Sequence, residues 1–381
     1  MGFAHNPSPI GTARFTGERP SALYTALATK IPPLKETKVK IIVDAMGGDF
    51  APEQIVKGAL EAVKDFDIEV ALVGKGESIL KVIESMGLRD IPDKVEIVNA
   101  SDVITMEDDP TNIIREKSDS SLTVALYMLR DGRGDALISA GNTGAILSGA
   151  TLIVKRVRGI RRASLALTLP NSAGGYFIAA DIGANVECTP EYLLQFAYMG
   201  SHYAQIVLER GAAYLPRVGL LNNGTEHTKG TDVHVEAYKL LNRAKDEGDL
   251  NFIGNIEAKA ALKGGCDVLV SDGFSGNVFL KTIEGTASLL MSELKGIYKS
   301  NLISKISALM IKKRLVDLKM RLNPDSVGGS IMLGISKPVI KAHGSSNAIA
   351  IYNAIHQGMM AAAADMPARL KETMERMKVA G

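Results

Sequence analysis

The chain has 381 residues, of which 46% are hydrophobic, 23% charged and 5% aromatic, and its formal net charge is +2. That length can bury one large core or two smaller ones, the charge is too near balance to imply nucleic acid, and no apolar run reaches bilayer-spanning length. Two cysteines, Cys188 and Cys266, make neither a disulfide framework nor a metal site and point to a reducing compartment.

Residues 1–38 carry scattered Pro and Gly, few acidic residues and no sustained period. They read as an N-terminal extension, either partly disordered or of the Arg/Ser/Thr-bearing type used for targeting. The folded part opens at Val39, with a buried-type strand that runs into Asp44-Ala-Met-Gly-Gly-Asp49. Pro52 then stands at a first helical position, and Ile55, Val56, Ala59, Leu60 and Val63 make one apolar face. A strand at 70–73, a helix at about 77–86 and a strand at 95–98 follow, so the chain starts as β-α-β units with parallel pairing. Asp119 or Ser120 caps a helix that runs to about Arg130.

From there one pattern recurs: an apolar run, a polar Gly-rich corner, then a helical period. It occurs at Ser139-Ala-Gly-Asn-Thr-Gly144, at Asp181-Ile-Gly-Ala-Asn185 before a helix with Pro190 at its start, at Asn222-Asn-Gly-Thr-Glu226 and at Asp272-Gly-Phe-Ser-Gly-Asn277. Weaker forms are the opening corner, Phe252–Glu257, and His343-Gly-Ser-Ser-Asn347 before a helix over 348–363. Each is also ordinary turn chemistry. In an open parallel sheet, however, corners beyond the carboxyl ends of the strands line one edge, where ligands bind. Glycines and free N–H groups there suit a phosphate or an oxyanion. Motifs for dinucleotide binding, nucleotide hydrolysis, zinc catalysis and a serine nucleophile are absent from the sequence. Cys188 reads first as a small buried hydrophobe, and His227, with Asp232 five residues on, as a polar loop residue.

Taken in order, the blocks Asp44–Asp49, Ser139–Gly144, Asp181–Asn185, Gly219–Glu226, Phe252–Glu257, Asp272–Asn277 with Lys281-Thr-Ile-Glu-Gly, and His343–Asn347 resemble the PlsX phosphate acyltransferases from about residue 39 to the mid-360s. Residues 1–38 lie outside that pattern, and Thr189 stands where relatives often carry a charge. The resemblance implies that inorganic phosphate attacks the thioester of an acyl carrier protein, giving acyl phosphate for phospholipid synthesis. It also implies a three-layer α/β/α fold with a mainly parallel sheet, similar to isopropylmalate dehydrogenases and phosphotransacetylases, and a homodimer. The catalytic region would be 39–370.

Phosphate is already a nucleophile and a thiolate a good leaving group, so positioning and oxyanion stabilisation suffice, with no cofactor and no metal. Asn142, Thr143 and the main chain from Gly141 to Gly144 are expected to hold phosphate. Asn223, Asn277 and Ser345 are expected to donate to phosphate or the thioester oxygen, while Asp181, Glu226 and Asp272 orient donors or take a proton. Asn185, Asn222, Gly273, His343, Ser346 and Asn347 complete the expected substrate-binding set.

Between Lys295 and Arg321, eight basic residues face a single Asp317 beside a broad apolar surface. A basic amphipathic helix or hairpin of that kind suits an anionic membrane surface, an acidic carrier, or a core or dimer contact. Leu309, Met310, Lys312, Lys313 and Arg314 are the expected membrane or carrier contacts, and the location cytoplasmic, peripheral at the inner face of the cell membrane. Lys155, Arg156, Arg158, Arg161 and Arg162 form a second basic cluster. The open alternatives are a phosphotransacetylase-like or dehydrogenase-like enzyme on the same fold, and a non-catalytic acyl-binding scaffold.

Overall fold

In strand β1 (Val39–Asp44), Ile41 and Val43 enter one apolar core and Ile42 another, and all three are fully buried. A strand covered by helices on both faces has no solvent side and so reads as a continuous apolar run. The computed structural model describes residues 38–110, 113–208, 214–322 and 328–379. The extension expected over 1–38 therefore falls, Lys38 apart, outside the described residues.

Two β-α-β units follow from β1 through α1 (Glu53–Asp65), β2 (Ile68–Gly74), α2 (Gly76–Ser85) and β3 (Val95–Asn99). Helix α1 buries Ile55, Val56, Ala59 and Leu60, the face its spacing announces, and Pro52 caps it from just outside rather than from its first turn. A short α3 (Ile113–Glu116) precedes α4 (Ser121–Arg130), where the Ser120 hydroxyl accepts from the Thr123 N–H at 3.3 Å. Strand β4 (Ala136–Ser139) leads to α5 (Thr143–Gly149), which continues into a π-helical turn over Ala150–Val154.

Strands β5 (Ser164–Pro170) and β6 (Tyr176–Ala180) form an antiparallel pair before α6 (Pro190–Val207), which starts on the expected proline. Then come β7 (Arg217–Leu221), α7 (Asp232–Asp246), β8 (Asn251–Ile256), α8 (Ala258–Leu262) and β9 (Val268–Val270). The long α9 (Gly273–Lys299) is followed by α10 (Leu302–Met310) and α11 (Lys312–Leu322). Strands β10 (Ser330–Leu333) and β11 (Val339–Lys341) and helices α12 (Ala348–Ala363) and α13 (Met366–Val379) complete the described chain.

The strands form one sheet in the order β3-β2-β1-β4-β11-β10-β5-β6-β9-β7-β8. One core lies between it and α1, α6, α7, α12 and α13, the other between it and α4, α5, α8 and the start of α9, which makes three layers. Most pairings are parallel, as the β-α-β rhythm implies. The centre differs from the open parallel sheet expected. Strand β10 is antiparallel to both β11 and β5, and β5 is antiparallel to β6. The block β6-β9-β7-β8 therefore runs opposite to β3-β2-β1-β4-β11, and the polar corners form two groups instead of lining one edge. Residues of both groups nevertheless line one cavity beside β5, Thr143 and His343 from the first and Gly183 and Asn277 from the second.

Candidate active site

The corners after β1, β4 and β11 pack on one another. Ser139 Oγ donates to Asp44 Oδ2 at 2.7 Å and accepts from the Gly141 N–H at 3.1 Å, while the Asp49 N–H donates to the Gly344 carbonyl at 2.8 Å. Asp44 is buried, which pushes its carboxyl pKa up against the pull of the Ser121 and Ser139 hydroxyls. Gly47 cannot carry a side chain, because a Cβ would stand 2.6 Å from Asp44 Oδ2 and 2.8 Å from the Gly141 nitrogen.

Asn142 is the N-cap of α5: its Oδ1 accepts from the Ala145 N–H at 3.1 Å. Its Nδ2 lies 3.2–3.3 Å from the carbonyl oxygens of Thr105, Met106 and Asp108, so the side chain is occupied in pinning the acidic segment. Thr143, one residue on, is exposed.

The second group is built around Asp181. Its Oδ1 accepts from the N–H groups of Leu165, Gly183 and Ala184 at 3.0–3.1 Å, and its Oδ2 from Asn185 N at 2.8 Å and Asn185 Nδ2 at 2.7 Å. Complete burial pushes this carboxyl pKa up while the donors pull it back. The Asn185 carbonyl accepts from the Gly273 N–H at 2.7 Å, and Asp272 caps α9 through Ser275 N at 2.7 Å. At Gly276 a Cβ would collide with the main-chain carbonyl oxygen of Asp181, so the two corners touch through bare backbone.

Between the two groups, against Leu165 and Leu167 of β5, lies a cavity of about 290 Å³. Thr143, Gly183, Asn277 and His343 reach it from four different corners. Leu165, Leu167, Ile182 and Leu280 give it an apolar wall, and Gly328, Gly329 and Ser330 contribute backbone and a hydroxyl. Lys281, Glu284 and Lys341 line it as well, and none of these three stood among the expected site residues. Lys281 was legible, because it stands four residues after Asn277 and Glu284 seven after it, on one face of a helix.

Apart from Thr143, Asn277 and His343, none of the expected residues lines the cavity. His343 Nδ1 is 2.9 Å from Ser345 Oγ, Ser346 is buried, and Asn347 caps α12 through Ala350 N at 3.0 Å. Gly141 is buried behind Asn142, and at Gly144 a Cβ would meet the Pro110 ring at 2.7 Å. Asn222 Nδ2 donates to the Lys229 carbonyl at 2.9 Å, closing the β7 loop on itself. Asn223 and Glu226 are exposed on that loop and do not line the cavity. His227 is exposed there too, with its ring 6.2 Å from that of Tyr238. Cys188 is half-buried, and burial with Asp181 nearby pushes its thiol pKa up to about 12, away from nucleophilic use.

A family model described as fatty acid synthesis protein matches residues 39–369. A phosphate acyltransferase of Geobacillus sp. (strain WCH70) is 44% identical over 339 residues, covering 89% of this chain and 99% of the relative. One from Brevibacillus brevis is 47% identical over 320 residues, covering 83% and 92%. The chain belongs to the PlsX phosphate acyltransferase family. It is thus a transferase, as its relatives are named. Solved structures give the fold: a phosphotransacetylase from Streptococcus pyogenes superposes with a TM-score of 0.61 at 19% identity, covering 90% of this chain and 98% of that one. A branched-chain phosphotransacylase from Enterococcus faecalis V583 gives 0.55 at 14%, covering 85% and 99%. The α/β fold expected from the sequence is the one these share.

Proposed function

We propose that this PlsX family member transfers a long-chain acyl group from acyl carrier protein to inorganic phosphate, releasing the carrier thiol and an acyl phosphate for phospholipid synthesis. The observation that carries the reading is the cavity between the two groups of corners, where cationic and neutral donors meet an apolar wall. A phosphate oxygen attacks the thioester carbon, the carbon–sulfur bond breaks, and its electron pair leaves on sulfur, which takes a proton. Thr143 and Asn277 are the donors for the reacting oxygens, because they line the cavity with open side chains, and the apolar wall excludes water that would hydrolyse the thioester. Asn142, Asp181, Asn185, Asp272 and Asn347 serve this site by holding its corners, each through hydrogen bonds to backbone. The catalytic region is 39–370, with 1–38 as an extension.

The test is to incubate acyl carrier thioester with the enzyme, with and without phosphate, and titrate the freed thiol. Phosphate-dependent release is expected; release that ignores phosphate would overturn the reading. Replacing the carrier by coenzyme A thioester distinguishes a phosphotransacetylase.

A second reading concerns α9 to α11. Beyond Leu280 none of the described residues of α9 is buried, and Leu302, Ile303, Leu309 and Met310 are 71–82% exposed. A groove of about 830 Å³ between these helices is lined by Leu294, Leu309 and Leu315 and edged by Lys295, Lys299, Lys305 and Lys312. Apolar side chains edged by ammonium groups favour peripheral seating on an anionic membrane surface from the cytoplasmic side. No helix among the described residues is long and apolar enough to cross a membrane. The carrier and the second subunit of a homodimer are the competing occupants, and flotation with vesicles, described below, separates them.

A further inference from the structure

The two lysines of the cavity are in different electrostatic states. Lys281 Nζ lies 2.7 Å from Glu284 Oε2, an ion pair one turn long on α9. Lys341 has no carboxylate within ion-pair distance among the described residues; Glu284 and Asp49 act on it only from further away. Its side chain is largely enclosed, and its pKa is pushed down by that burial and by the Lys281 charge. An enclosed ammonium with no partner costs free energy unless an anion joins it.

The backbone fixes where that ammonium stands. Lys341 ends β11, paired with Ser139 of β4 on one side and with Ser330 of β10 on the other, at the place where the sheet reverses. At Gly329 a Cβ would lie 2.5 Å from the Lys341 carbonyl oxygen, so the neighbouring strand approaches with no side chain between. Ser330, Thr143 and His343 share the cavity with it and carry hydrogen-bonding groups suited to the remaining oxyanion oxygens.

Resting on the reading of this cavity as the acyl-transfer site, we infer that Lys341 is the residue that binds the phosphate oxyanion, while Lys281 stays engaged with Glu284. Phosphate then stands on the β11 side, and the acyl carbonyl lies towards Leu165, Leu167 and Leu280. The acyl phosphate product is still an anion, so Lys341 keeps its partner through the step. Its loss shows in phosphate affinity rather than in carrier affinity.

The experiment titrates inorganic phosphate calorimetrically into full-length wild type, Lys341→Met, Lys341→Gln, Lys341→Arg and Lys281→Met, and measures thiol release at varied phosphate. Removing a charge-assisted hydrogen bond is expected to raise the phosphate Kd and KM of Lys341→Met and Lys341→Gln by about thirtyfold. The carrier KM is expected to stay within about twofold, Lys341→Arg to recover most of the affinity, and Lys281→Met to lose less than Lys341→Met. The inference is overturned if either uncharged Lys341 variant that folds binds phosphate like wild type, or if Lys281→Met shows the larger loss. A wild type that binds phosphate through Lys341 yet releases no thiol would sink the acyl-transfer reading and leave the anion site standing.

Discussion

Asp181→Asn separates a carboxylate that builds the site from one that moves a proton. The wild-type side chain is fully buried and accepts five N–H groups, three on Oδ1 and two on Oδ2. An amide of the same shape has one oxygen. Turned to keep the Leu165, Gly183 and Ala184 donors, it sets its NH2 against Asn185 N and Nδ2; turned the other way, it faces three donors. Each buried donor left without an acceptor costs about 1–3 kcal/mol, so the cheaper orientation loses about 2–6 kcal/mol. Urea denaturation followed by circular dichroism measures this directly, and an unchanged slope would show that the native state keeps its compactness. Turnover is expected to fall as well, because Gly183 lines the cavity and Asn185 holds the Gly273 corner. If the variant stayed within about 0.5 kcal/mol of wild type while turnover collapsed, Asp181 would be acting on the proton and the positioning argument would be wrong.

Asn142→Ala removes the cap of α5 and three contacts to the 105–108 backbone, and is expected to cost about 1–2 kcal/mol, with faster amide exchange in that segment. Stability within error of wild type together with a tenfold weaker phosphate KM would return Asn142 to direct binding. Burial of His356 pushes its pKa down from 6.5 to about 4. The unfolded chain therefore takes up the proton first, so the His356 contribution is complete above pH 6.5 and is lost as pH falls from there towards 4. The loss is on the order of 3 kcal/mol at most, and urea midpoints measured between pH 7.5 and pH 4.5 should decline, less steeply in His356→Gln. Leu309→Glu with Met310→Glu is expected to abolish flotation with anionic vesicles and to leave the urea midpoint unchanged, since both side chains are exposed. Flotation that survives the pair would remove the membrane reading of α10.

Features set by neighbours in sequence were legible in it. Ser120 caps α4, Pro190 opens α6, and α12 occupies 348–363 behind Asn347, because caps and apolar spacing act over a single turn. The corners at 139–144, 181–185, 272–277 and 343–347 were legible for the same reason. What their side chains do was not. An Asn or Asp in a Gly-rich corner can point at a ligand or at its own backbone, and in Asn142, Asp181 and Asp272 the backbone N–H groups of the next turn claimed the side-chain oxygen.

The residues the sequence concealed are those whose meaning depends on distant pairing. The His343 corner two residues on was legible, but the place of Lys341 itself follows from β4 on one side and β10 on the other, 202 and 11 residues away as Ser139 and Ser330. The antiparallel strands β10 and β5 break the β-α-β rhythm, and an apolar run such as 164–169 carries no sign of its direction. Yet that reversal is what makes the cavity. Had all strands run one way, the corners after β4 and β6 would lie along a single open edge, exposed to water. With two opposed blocks facing each other across β10 and β5, Thr143 and His343 come from one block and Gly183 and Asn277 from the other. The same central strand then supplies Leu165 and Leu167 as the apolar wall. A thioester and an oxyanion need opposite surroundings within a few ångströms, and in the acyl-transfer reading proposed above the change of strand direction is the feature of this fold that brings both surroundings into one cavity.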